Sequence, residues 1–400
     1  MAKLFEFFRL LQSLENKSGE IQDPTILKYF EFAYRRCIEW FGSPLDSEGP
    51  TQLTWWHRSL CLRLKYHHRY IIFLKKSEFF HGNCLNIGHE TYHRVTYTRM
   101  DIRRQIWADE MLACMASYHL LKEYGMTSYA DSYVDACLSH APARLQVSIL
   151  RQMPLRARRT DLFRTDSQFP GDFTNQVTKL GMALQELVGW ARLCQIVHTT
   201  SLEEWVLQLP FGYQQYVRNV LDLPESSQIT RQTSSHLLPE TDENSIDWHY
   251  RFGCSHYWLG DYETAFKELH LSLQKNQSNP ETHFACGRVL LATQDNENAA
   301  HALRQAMLLN KTELRYHYEL GRSLLLLGVQ KSKKECLHEA LDEFQESIRL
   351  QPEFAKAHYM LGVTFHNLGQ DNAANTTWEK VLSLGDEYVE LWARKKLYGE

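Results

Sequence analysis

Apolar residues recur at helical spacing along most of the chain, and the pattern changes character in two places. Between Ser59 and Leu74 it alternates: Leu60, Leu62, Leu64 and Tyr66 are separated by polar positions such as Arg63 and Lys65, and Arg69–Leu74 forms a second β-rich run. Two strands are expected there. After Asn83 the alternation stops, and CLNIGHETYHRV followed by Ile102–Tyr124 (IRRQIWADEMLACMASYHLLKEY) reads as two helices, the first weakened by Gly88. The start, Met1–Gln12, has the pattern of an amphipathic helix, and Trp205–Tyr216 that of an apolar segment closing the N-terminal core. Pro224–Ser245 is rich in Ser, Thr and acids without periodicity, which predicts a linker.

Beyond the linker the chain repeats itself. Gly253, Gly287 and Gly321 fall 34 residues apart, each preceded by an apolar or bulky residue (Phe252, Cys286, Leu320). Twelve residues after the first two glycines stand Ala265 and Ala299, followed by Leu269 and Leu303 and then by Ser272 and Ala306. A fourth unit centres on Gly362, 41 residues after Gly321, and its extra seven residues map to the polar, basic Gln330–Cys336, a loop or helix extension. Ala340, Phe344, Ser347 and Pro352 restore the register, and Leu361, Phe365, Gly369, Ala374, Trp378 and Val381 complete the last unit. Helices cross closely only where side chains are small, so Gly and Ala mark the crossings and the large residues fill the grooves. The period and residue types resemble the tetratricopeptide repeat family. That resemblance implies an all-α solenoid from residue 246 to 400, four helix pairs closed by a capping helix at Tyr388–Leu397, with a groove for a protein or peptide. Arg288, Arg322 and Asn367 are candidates for its lining, against the plainer reading of solvated surface.

The sharpest chemical signal lies upstream. His89 and His93 stand four residues apart, so on a helix both imidazoles share one face at the separation one zinc ion needs. Glu90 is placed as general base for a water activated by that metal. Here the sequence resembles the zincin metallopeptidases, and the ADEMLACMA stretch resembles the second helix that carries their acidic third ligand. Glu110 is the candidate for that ligand, with Asp109 the alternative. Two departures from the family stand out: Arg94 directly follows His93, and a position occupied by Glu in one large branch is Gln105 here. Tyr118, His119, Tyr124 and His140 are candidate donors to an oxyanion, each with a core or surface role as the commoner alternative. His67 and His68 are adjacent and in a strand point to opposite faces. Cys114 has no identifiable base partner for nucleophilic chemistry, and there is no glycine-rich phosphate loop.

Composition adjusts this picture only a little. At 400 residues, 44% hydrophobic and 23% charged, the chain is globular with room for two or three domains. Nine scattered Cys and no secretion-signal pattern point to a reducing, cytoplasmic setting. No stretch approaches the ~18 apolar residues of a membrane span. The net charge of -4 hides ten Lys or Arg against three acids in residues 54–106. A further basic stretch, Arg151–Arg164 with Arg156, Arg158 and Arg159, would suit nucleic acid, although a solvated helix end explains it more simply. The expected architecture is therefore an α+β, predominantly helical, zincin-like domain over residues 1–224, a linker at 225–245, and four tetratricopeptide repeats with a capping helix at 246–400. The expected function is an intracellular zinc-dependent peptidase, using one zinc ion, whose repeats recruit substrate or partner. A non-catalytic adaptor is the rival and a nucleic-acid-associated protein the third possibility.

Overall fold

The computed structural model describes residues 21–44, 51–56, 60–64, 69–75, 80–96, 106–140, 173–199, 201–221, 223 and 246–399. The expected first helix, the linker, the basic stretch at 151–164, His67, His68 and Gln105 lie outside the described residues.

Helix α1 (Pro24–Phe41) starts where Asp23 accepts hydrogen bonds from the Thr25 and Ile26 amides, with Pro at the first helical position, and it buries Ile26, Tyr29, Ala33, Cys37 and Phe41 along one face. Three strands follow: β1 (Thr51–Trp56), β2 (Leu60–Leu64) and β3 (Arg69–Lys75), in the order β1-β3-β2. β3 is central, parallel to β1 and antiparallel to β2, with Leu53 opposite Ile72 and Leu62 opposite Ile71. The sequence pattern anticipates β2 and β3. It misses β1, because TQLTWW does not alternate and owes its place to tertiary contacts: the Ile21 amide donates to the Leu53 carbonyl, and Leu53 is buried.

Helices α2 (Phe80–Thr96), α3 (Ile106–Glu123), α4 (Thr127–His140) and α5 (Phe173–Val188) complete the body of this unit, with α2 packed on β2 and β3. α3 is buried on almost every side, as an all-round apolar helix must be; from Trp107 to Leu121 only Glu110 and His119 are partly exposed. It touches α1, α2, α4 and α5. Short helices α6 (Trp190–Cys194), α7 (Leu202–Leu207) and α8 (Phe211–Val220) then seal the core with Trp205, Val206, Tyr213 and Val217.

From Ile246 the chain forms tetratricopeptide-like helix pairs: α9 (Ile246–Leu259) with α10 (Tyr262–Lys275), α11 (Pro280–Ala292) with α12 (Asn296–Leu309), α13 (Leu314–Lys331) with α14 (Lys334–Leu350), and α15 (Ala355–Asn367) with α16 (Asp371–Leu382). Helix α17 (Glu387–Tyr398) packs Val389 and Ala393 onto Trp378 and Val381, closing the end. The crossing glycines act by absence of a side chain. A Cβ on Gly253, Gly287 or Gly321 would stand 2.6, 2.5 or 2.8 Å from Leu269, Leu303 or Phe344, and one on Gly362 would collide with Trp378. The seven extra residues of the third unit lengthen both helices of the pair, with Ser332 in the left-handed conformation between them.

One further residue recurs beside the small and large positions. A histidine stands four residues before each crossing glycine: His249, His283, His317 and His358. In the last three, Nε2 meets the carbonyl of Gln277, Lys311 or Pro352 in the preceding turn at 2.8, 2.9 and 2.9 Å. In the first and third, Nδ1 lies 2.7 Å from Glu268 or Glu343 on the second helix of the pair. The row thus ties each turn to its own repeat. The hydrogen bond to Glu343 lifts the pKa of His317 above its ordinary value, against the opposing effect of burial. That stabilisation is complete below the unfolded value of ~6.5 and is lost as pH rises through the elevated folded one. The melting-temperature gap between the unaltered chain and Glu343→Gln is therefore expected to narrow as pH is raised from about 6 to about 9; a constant gap would show that the pair carries no charge-dependent stability.

The two parts of the chain share a core. α9 lies along α5, Trp258 donates to Glu186 at 3.3 Å, the Tyr216 and Ser255 hydroxyls meet at 3.0 Å, and the Tyr216 and Phe252 ring centroids are 4.2 Å apart. The first helices of the pairs lie side by side in one layer, and α9 and α15 of that layer pack against α5 and α4.

Candidate metal centre

The positions of His89 and His93 follow from α2, and that of Glu110 from α3, where the two helices approach each other most closely. Gly88 permits the approach: a Cβ there would lie 3.1 Å from the Ser117 Cα and 3.2 Å from Leu120. What reads in sequence as a weakness of the helix is its contact point. Arg94, the residue that departs from the zincin pattern, turns away from the histidines; it is buried, donates to Thr51 Oγ1 on β1 at 3.1 Å and lies over the Tyr34 ring.

Three donors converge. His89 Nε2 and His93 Nε2 are 3.2 Å apart, and the Glu110 carboxylate approaches them at 3.2 and 3.4 Å. Among the described residues His89, His93 and Glu110 form the one group of three or more such side chains whose ligand atoms lie within 4.8 Å of each other. Tetrahedral zinc with bonds near 2.0–2.1 Å requires donor separations of about 3.3–3.4 Å. The separation of the two imidazole nitrogens is close to that value, and the Glu110 carboxylate reaches His89 through Oε2 and His93 through Oε1. All three side chains keep partial exposure, 25% for His89, 14% for His93 and 31% for Glu110, so solvent reaches the group.

Behind each imidazole stands a different partner. His93 Nδ1 faces Asp109 at 3.4 Å, and the other Asp109 oxygen accepts a 2.8 Å hydrogen bond from the buried Tyr92 hydroxyl. Asp109 is thus set on the far side of His93 from Glu110 and outside the converging triad. His89 Nδ1 faces the Cys114 sulfur at 4.0 Å. Carboxylates behind metal-binding histidines fix the tautomer that leaves Nε2 free as a ligand. Tyr92 and Cys114 stand inside the HETYH and ADEMLACMA strings, but neither string marks them as partners of the imidazoles. Asp109→Asn is expected to weaken zinc binding by roughly 10- to 100-fold without removing a ligand, as read by competition with a fluorescent chelator; an unchanged affinity would deny Asp109 this orienting role.

The charged groups of the site act strongly on one another. Burial disfavours charge on both imidazoles, yet Cys114 and Glu110 at His89, and Glu110 and Asp109 at His93, outweigh it and raise both pKa values, that of His93 to about 10. Despite burial, the same two imidazoles hold Glu110 well below the usual carboxylate range. Glu90 is 4% exposed and feels all three groups; burial raises its pKa while the imidazoles pull it back.

The other candidates are engaged elsewhere. Tyr118 donates to Asp131, His119 meets Gln185 at 2.6 Å and stacks on Trp190, and Tyr124 packs on Tyr29 and Phe32. The side chain of His140 lies outside the described residues. Arg288 lies over Tyr257, Trp258 and Phe284 beside a small cavity that Glu186 also lines, and Arg322 pairs with Glu319. Asn367 is exposed and donates to its own helix at Val363. Among the described residues no helix is long and apolar enough to cross a membrane.

No family model matches the chain, and no curated protein does either. Solved helical-repeat structures do. A crystal structure of MamA is 19% identical over 37% of this chain and 83% of its own, with a TM-score of 0.33. A thermophilic TPR protein from Thermus thermophilus is 22% identical over 38% of this chain and 79% of its own, at 0.34. A segment of MamA from Desulfovibrio magneticus is 23% identical over 36% and 76%, at 0.33.

Proposed function

We propose that this chain is a zinc-dependent peptidase of zincin type joined to a helical-repeat platform for protein partners. The observation that carries the reading is the convergence of His89 Nε2, His93 Nε2 and the Glu110 carboxylate within 4.8 Å of one another, in side chains that keep partial exposure. His89, His93 and Glu110 would hold the ion. Zinc in such a site acts as a Lewis acid and brings the pKa of a water to roughly 7. Glu90, next to His89 in sequence and less acidic than an ordinary carboxylate, takes the proton of the attacking water and passes it to the departing amine. Asp109, held by Tyr92, keeps His93 in the tautomer that binds through Nε2. The buried thiols, including Cys37, Cys84 and Cys137, suit a reducing compartment such as the cytoplasm.

The repeat array by itself supports the coarser reading of an adaptor or scaffold, since stacked helix pairs offer an extended surface to protein partners. That reading needs no metal. The two separate in an assay of quenched fluorescent peptides from unfolded casein: the peptidase reading expects cleavage that a chelator stops and zinc restores. Absence of chelator-sensitive cleavage across such a library leaves the adaptor.

A further inference from the structure

One surface of the array already has an occupant. Helix α4 presents Ser128, Ser132 and Asp135, spaced i, i+4, i+7 and so on one stripe, to the starts of α15 and α17. Asp135 pairs with Lys356, which is 4% exposed, at 2.5 Å. Ser132 donates to the buried Asp386 at 2.7 Å, and Ser128 accepts from Gln351 at 2.9 Å. Tyr129 and Tyr133 pack on Tyr388, with ring centroids 5.5 and 6.4 Å apart. The negative charge of Asp135 also bears on Arg288 and Arg322, deeper in the first-helix layer. The buried Lys356 faces the Asp135 carboxylate directly, and Arg288 and Arg322, the latter paired with Glu319, add positive charge at longer range, a pattern that suits an acidic helix. α4 touches α15 and α17 through the residues just named, whereas the array is anchored independently through α9 on α5.

We propose that α4 is a built-in ligand of this surface, and that the partner it receives in exchange is a helix carrying an acidic residue with hydroxyl side chains three and seven positions before it. This names the partner chemistry of the platform proposed above and rests on that reading alone, independent of zinc. Because α4 packs on α3, which carries Glu110, exchange at this surface reaches the metal-binding helix.

The probe is a fluorescein-labelled peptide of residues 127–140 with Cys137→Ser, titrated by anisotropy into the full-length chain. The own helix competes at high effective concentration, so Asp135→Lys, which disengages it, is expected to bind the peptide at least ~10-fold more tightly than the unaltered chain. Lys356→Glu is expected to abolish binding, as is Asp135→Lys within the peptide. Should the Asp135→Lys chain not fold, Asp135→Asn, at a position 45% exposed, removes only the charge and is expected to tighten binding several-fold. No binding to either folded variant, equal affinity for variant and unaltered chain, or binding by Lys356→Glu would each overturn the proposal. So would a dimer of the unaltered chain in which this surface meets a second copy. Zinc content read on the same preparations keeps the metal reading separate from either outcome.

Discussion

Glu90→Gln is expected to retain the zinc of the unaltered chain while losing peptide hydrolysis by roughly 10²- to 10⁴-fold. The amide keeps the size of the carboxylate and cannot accept the proton of the attacking water. Glu90 lies outside the converging ligand set, and burial makes it a stronger base than an exposed carboxylate. Hydrolysis within a few-fold of the unaltered rate, at full zinc occupancy, would remove Glu90 from the mechanism and leave another group as base.

Gly88→Val is the second change with a large expected effect, although it alters no ligand. The added Cβ and its methyl groups enter a crossing where the nearest atom, the Ser117 Cα, belongs to backbone and cannot rotate away. Overpacking of this kind costs about 1–3 kcal/mol, and relief by separating α2 from α3 draws His89 and His93 away from Glu110. The variant is therefore expected to melt several degrees lower and to bind zinc more weakly, both measured on purified protein. A loss of stability with unchanged zinc affinity would mean that the donors hold their geometry without help from the crossing.

The sequence makes the two histidines and the repeat period legible for the same reason: each depends on fixed spacing along one helix or between successive ones. The choice between Asp109 and Glu110 is not of that kind. Adjacent residues on a helix point about 100° apart, and the rotation of α3 against α2 decides which one meets the imidazoles; Glu110 faces both, while Asp109 is turned to Tyr92 and the back of His93. Gly88 and Arg94 look like faults in a zinc helix until their partners Ser117 and Thr51 are known. Arg288 and Arg322, read as lining for an external ligand, also feel Asp135 of the same chain. That relation joins elements as far apart as Asp135 and Lys356, separated by 221 residues, and leaves no periodic trace.

The most direct test of the account is the metal content of the purified full-length chain by elemental mass spectrometry, beside a His89→Ala, His93→Ala double variant that keeps its helical circular dichroism. About one zinc per unaltered chain and none in the variant is the predicted result. No zinc in the unaltered chain after incubation with the metal, or equal zinc in both, would contradict the metal centre and leave the repeat array as the functional part of the molecule.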